Sequence, residues 1–190
     1  MKEQLAKYLQ RYIKVNEEEI NEFYELLTKR EYHKGDYLLK TGQVCHHKFF
    51  LISGLVRQFY VDEKGNDIIT QFAIENWWLT NTESFVNQSP SKLNIQALEH
   101  TVALSISKAA LEDIYLRNPK FERLFRMITE KTLIAFQRKA EFYMHQSSEE
   151  RYQQVVDKIP NLIQRVPQYM IASYLRISPE YLSALRKKQD

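Results

Sequence analysis

All four glycines of this 190-residue chain, Gly35, Gly42, Gly54 and Gly65, lie within one stretch of 31 residues. Glycine enters positive φ without the steric penalty that a Cβ brings, so such a cluster marks sharp chain reversals. The segments between and beside them are Tyr37–Thr41, Lys48–Ile52, Leu55–Val61 and Asp67–Ala73. They are short and rich in β-branched and aromatic residues, which reads as antiparallel strands. Asp62–Asp67 supplies a hairpin turn, and two more strands follow at Leu93–Leu98 and Thr101–Ile106. The pattern predicts an antiparallel β-roll, or jelly roll.

The flanks of the roll are helical. Asn16 with Glu19 forms a capping box, and Ile20, Phe23, Tyr24 and Leu27 mark one face. Ser107 caps a short helix running through Leu116. Asn118-Pro119 then opens a helix to His145 with no glycine and no internal proline. Phe121, Phe125, Ile128, Thr132, Ala135, Lys139 and Phe142 recur along it at spacings of four and three, while Leu124, Met127, Leu133, Phe136 and Tyr143 widen the apolar surface. A helix with two apolar faces needs two partners. One is its own roll and the other is the same helix of a second subunit. Phe121, Phe125, Ile128, Thr132, Ala135 and Phe142 are the candidate seam. The alternative is one wide face packed wholly on the chain's own core.

Ser147 with Glu150 caps a further helix to about Lys158, and IPNLIQRVP reads as a short helical connector. The expected fold class is α+β: an N-terminal β-roll over 1–116, a long dimerisation helix over 117–146 and an all-α helix-turn-helix unit over 147–190.

Composition narrows the function. Cys45 is the single cysteine, so no disulfide framework can form within one chain, which fits a reducing compartment. No apolar run approaches the length of a membrane span and no secretory leader is visible, so a soluble cytoplasmic protein is expected. The residues from Phe121 onward carry 12 Lys/Arg against 8 Asp/Glu, a balance of +4. Subtracting these from the totals of 27 and 24 leaves 15 against 16 in the first 120 residues, a balance of −1. The positive excess therefore lies wholly in the C-terminal third, where a polyanionic partner is expected.

The last stretch, QYMIASYLRISPEYLSALRKK, gives that partner a reader. Ile171, Ala172 and Leu175 share one helix face, Ile177 sits in a tight turn, and Ser178-Pro179 is an N-cap followed by a first-turn proline. Leu182 and Leu185 face inward on the second helix. Two short helices meeting at a small residue form a helix-turn-helix, whose second helix enters the major groove. The candidate DNA contacts are Gln168, Arg176, Ser178, Pro179, Glu180, Ser183, Arg186, Lys187 and Lys188. Arg176 occupies the turn position where the left-handed backbone favours glycine, at a cost of about 1 kcal/mol.

Roll, long helix and terminal hairpin together resemble the CRP/FNR family of bacterial transcription regulators. The resemblance covers nearly everything after Gln4. It implies a homodimer on a two-fold symmetric site in double-stranded DNA, with RNA polymerase as a further partner and a small-molecule effector in the roll. Two departures follow from it. The chain runs only a few residues past Arg186-Lys187-Lys188, so the family's β-wing and its phosphate contacts are expected to be missing. The family's nucleotide cassette also falls on Asn76–Ala97, where Thr80 and Asn81 replace its glycine–glutamate pair and Ser91 replaces its arginine. Lys92 is a point charge and not a bidentate fork. Thr80, Asn81, Glu83, Ser84, Ser91 and Lys92 thus line a degenerate effector pocket, and gating by cyclic AMP is not expected.

Two other classes stay open. One is a ligand- or protein-binding sensor or scaffold that has lost DNA binding. The other is a metal-dependent cupin enzyme, but Cys45, His46, His47 and His100 lack the cupin ligand spacing. No paired carboxylates, nucleophile elbow or P-loop are present, so no enzyme, metal or cofactor is expected. Trp77 and Trp78 read as rim and core of the roll.

Overall fold

The computed structural model describes residues 1–159 and 161–187, with the side chains of Phe142 and Lys158 excepted. The chain opens with α1 (Lys2–Gln10) and α2 (Glu17–Glu25). The Asn16 capping box predicted for α2 forms on both sides, Glu19 N donating to Asn16 Oδ1 and Asn16 N donating back to the Glu19 carboxylate.

The strands are β1 (Thr28–Tyr32), β2 (Tyr37–Leu39), β3 (His47–Ser53), β4 (Val56–Val61), β5 (Asp67–Ala73), β6 (Trp78–Leu79), β7 (Asn94–Ala97) and β8 (Thr101–Ser107). Among the described residues they form two four-stranded antiparallel sheets, β1-β8-β3-β6 and β2-β7-β4-β5, which face each other without closing into a barrel. All four glycines take positive φ, as the turns require. A helix not expected from the sequence, α3 (Thr82–Asn87), sits between β6 and β7.

The inner faces of the sheets, with Phe49, Leu51, Val56, Ala73 and Ile95, form one core together with α1 and α2. After the roll come α4 (Lys108–Arg117), capped by Ser107 as predicted, and α5 (Pro119–His145). Phe121 is fully buried and stacks on Phe23 at 4.5 Å between ring centroids, and Phe125 meets Trp78 edge-on at 5.0 Å. This corrects the expected seam: Phe121 and Phe125 belong to the chain's own core, because the start of α5 lies across α2. Ile128 is half-buried, Thr132 and Ala135 are exposed, and the Phe142 side chain lies outside the described residues. From Thr129 to Arg138 every residue of α5 is exposed.

The remaining helices are α6 (Ser148–Lys158), α7 (Leu162–Arg165), α8 (Gln168–Leu175) and α9 (Pro179–Lys187). The Ser147–Glu150 capping box is present. These helices build a second core that sequence periodicity does not reveal. Leu55, Phe59, Ile69 and Phe72, on the outer face of the β2-β7-β4-β5 sheet, pack with Ile171, Leu175, Leu182 and Leu185. Strand β4 is therefore buried on both faces, from Val56 to Phe59.

Candidate functional site

Two regions carry the predicted site residues. The first is the pair α8 and α9. Ile171, Ala172, Leu175, Leu182 and Leu185 are all buried between and beneath the two helices, and the chain turns at Arg176 with φ 56° and ψ 47°. The left-handed turn is closed by hydrogen bonds from Arg176 N to Ser173 O and Ile177 N to Ala172 O. Ser178 Oγ accepts from Tyr181 N, which caps α9 at its first turn. Glu180 sits in that turn, and its carboxyl is held below the usual range by backbone and Ser178 hydrogen bonds.

Gln168, Ser178, Pro179, Glu180 and Lys187 are exposed, while Ser183 and Arg186 are half-buried beside the seam. Lys188 lies outside the described residues. Tyr181 and Ala184, which the sequence reading passed over, are exposed on α9. Their offsets from buried Leu182 and Leu185 would have placed them on the outer face. The Tyr181 hydroxyl donates to Glu149 on α6 at 3.2 Å. Arg176 has a partner within the chain: its guanidinium stands 5.0 Å over the Tyr143 ring at the end of α5.

The second region is the segment from β6 through α3 to β7, which holds the predicted effector residues. Its polar groups are paired with one another. Asn81 is buried, its Oδ1 caps α3 by accepting from Ser84 N, and its Nδ2 donates to Ser91 Oγ at 2.6 Å. Ser91 Oγ in turn donates to Leu93 O and accepts from Leu93 N. Ser84 Oγ accepts from Cys45 N, and Thr80 Oγ1 donates to His47 O. Glu83 and Lys92 point away from this network, both exposed, and face each other at 3.9 Å. The neighbouring ligand types part company: Cys45 is buried against Thr80 and His46 pairs with Gln88. Among the described residues no three His, Cys, Asp or Glu side chains gather as a metal site.

Residues 29–118 match the family model described as the cyclic nucleotide-binding domain. No curated protein sequence matches the chain. Solved structures do. The cyclic-di-GMP-responsive global regulator CLP of Xanthomonas campestris superposes with a TM-score of 0.71 at 17% identity, covering 92% of this chain and 91% of its own. FixK2 of Bradyrhizobium japonicum gives 0.69 at 17%, covering 85% and 83%. The catabolite activator protein of Thermus thermophilus gives 0.61 at 15%, covering 95% and 85%. At such identities the likeness is one of fold, and it extends over roll, long helix and terminal helices alike.

Proposed function

We propose that this chain, whose residues 29–118 match the cyclic nucleotide-binding domain and whose fold is that of the CRP/FNR-type regulators, is a DNA-binding transcription regulator acting as a homodimer. The observation that carries the reading is the α8–α9 pair: a buried apolar seam, a left-handed turn at Arg176 and an outer face left open on the second helix. In a helix-turn-helix that second helix lies in the major groove with its N-terminal residues at the base edges. Glu180 would accept from a cytosine amino group, and Ser178 and Lys187 would meet phosphates. The basic excess of the C-terminal third supplies the sequence-independent share of affinity.

The dimer follows from α5. Ten successive helical residues are exposed and bury no apolar side chain; among the described residues the Lys131 ammonium, 4.4 Å over the Tyr12 ring, ties the stretch to the turn after α1, and propensity alone is marginal over such a length. Leu133, Ile134 and Phe136 lie bare within that stretch. The same helix of a second copy would cover them and would relate the two α9 helices by a two-fold axis. The roll is then a sensor or scaffold whose nucleotide cassette is satisfied internally, so cyclic AMP is not its gate. RNA polymerase is the protein partner such a regulator implies.

Selection of bound sequences from random duplex DNA tests this. Two inverted half-sites with centres about 10 base pairs apart, or a multiple of that, are expected. Affinity should fall linearly with salt on logarithmic axes. A protein that retains no duplex at low salt would sink the reading.

A further inference from the structure

The C-terminal helices are tied to the roll by ion pairs that, among the described residues, all converge on one side chain. Arg165, the last residue of α7, donates through Nη2 to Glu75 Oε1 at 2.9 Å and to Glu99 Oε1 at 2.6 Å. Its Nη1 reaches Glu75 Oε2 at 3.3 Å and its Nε reaches Glu99 Oε2 at 3.2 Å. Each carboxylate is thus held by two N–H groups of one planar fork, the geometry in which arginine pairs are strongest. All three side chains are partly shielded from solvent, at 21%, 35% and 37% exposure.

The positions of the two carboxylates give the cluster a meaning beyond packing. Glu75 stands at the corner between β5 and β6, and Glu99 stands in the turn that carries the chain from β7 in one sheet to β8 in the other. Between them runs the whole effector segment, Thr80 to Lys92 included. The Glu75 corner is itself anchored in the roll. Glu75 Oε1 accepts from Gly54 N, and Asn76, at φ 66°, donates from its backbone to Leu51 O. Directly after α7 in the chain, α8 grips the edge strand β5, where Ser173 Oγ accepts from Ile69 N at 3.1 Å and donates to Asp67 O at 2.7 Å.

We infer that Arg165, Glu75 and Glu99 form a latch between the helical unit and the two ends of the effector segment, and that this latch fixes the direction in which α9 points. Two carboxylates share one guanidinium. A shift of either end of the segment withdraws one carboxylate, and loss of the guanidinium leaves two like charges side by side, so the contact is either made or open. The recognition face of α9 is exposed in the latched state, which therefore presents the helix ready for DNA. A helix already aimed loses less freedom on binding. This last consequence rests on the DNA-binding reading; the latch does not.

Amide hydrogen exchange on the full chain separates the two. Arg165→Gln should speed exchange at Ile69 N about tenfold or more, while Leu104 N in the central strand β8 stays protected. Glu75→Gln combined with Glu99→Gln should do the same. Unchanged protection of Ile69 in both variants, or equal loosening of Leu104 in both, overturns the latch. On DNA, Arg165→Gln should weaken binding to a duplex with two half-sites about tenfold and to a single half-site under about threefold, because a freed unit lowers the effective concentration of the second helix. Equal losses on the two duplexes overturn the aiming of α9. If the parent protein binds neither duplex, the regulator reading and the aiming of α9 fall together, and exchange alone decides the latch.

Discussion

Gly54 and Gly65 look alike in the sequence and differ in what surrounds them. At Gly54, with φ +100°, a Cβ would lie 2.7 Å from Thr101 Cα and 2.8 Å from His100 O. At Gly65, with φ +82°, it would meet nothing within 4 Å. Gly54→Ala should therefore cost about 2–5 kcal/mol, combining backbone strain with overpacking against backbone that cannot yield. Gly65→Ala should cost about 1–2 kcal/mol, strain alone. Urea denaturation of the two variants compares them directly, and equal losses would contradict the close approach of the β3–β4 turn to the β7–β8 turn. Lys139 gives a second expectation. Its Nζ donates to Thr70 O at 2.7 Å and lies 3.8 Å from the centre of the Tyr174 ring. Burial, with a smaller push from the Arg176 charge, lowers its pKa to about 8. The unfolded chain holds that proton up to its ordinary value of 10.5. Between these values the unfolded state binds more protons, so the folded state gains stability as pH rises through that window. Lys139→Met should lose this gain: the difference in denaturation midpoint between parent and variant should change between about pH 7 and pH 10, and a constant difference would contradict the burial.

At the level of elements, α5 and α9 carry the functional predictions. Replacing both Leu133 and Phe136 with Glu puts like charges across a symmetric seam, and light scattering should then give half the parent mass. A parent that is itself monomeric at micromolar concentration removes the seam. On α9, Glu180→Ala should relax preference at one half-site position by about 1–3 kcal/mol with non-specific binding intact. Lys187→Ala should weaken all sequences alike and lower the salt slope by about 1. Parental base preference and parental salt slope in these variants would take both roles away from α9. The elements themselves differ in how plainly they show in the sequence. The caps at Asn16, Ser107 and Ser147 act within three residues, and each helix start stands where its cap predicts. Strand β1, TKREY, is mostly exposed and has no alternating pattern; it is a strand because β8 pairs with it from Thr28 to Tyr32.

Across the whole molecule, the effector segment sets a limit on ligands. On the proposed reading, a cyclic nucleotide seated at Thr80–Lys92 would have to break the Asn81–Ser91 and Ser91–Leu93 bonds, with Ser91 where the resemblance implies an arginine. The charge-assisted bonds it would forgo are worth about 1.5–3 kcal/mol each. Titration calorimetry with cyclic AMP should show no binding at micromolar concentration, and tight binding would mean that the network opens around the ligand. The sequence by itself determined the roll, the long helix and the helix-turn-helix, because glycine turns, caps and apolar periodicity are interactions among neighbours along the chain. The residue types Thr80, Asn81 and Ser91, on which the proposed loss of cyclic AMP gating rests, are also legible there. The tertiary structure alone decided that Phe121 and Phe125 look inward, that the outer face of the roll is covered, and that Arg165 meets Glu75 and Ser173 meets Asp67 across separations of 90 and 106 residues. Such pairs leave no periodic trace, because what joins them is the docking of two finished surfaces rather than the spacing of residues along either one.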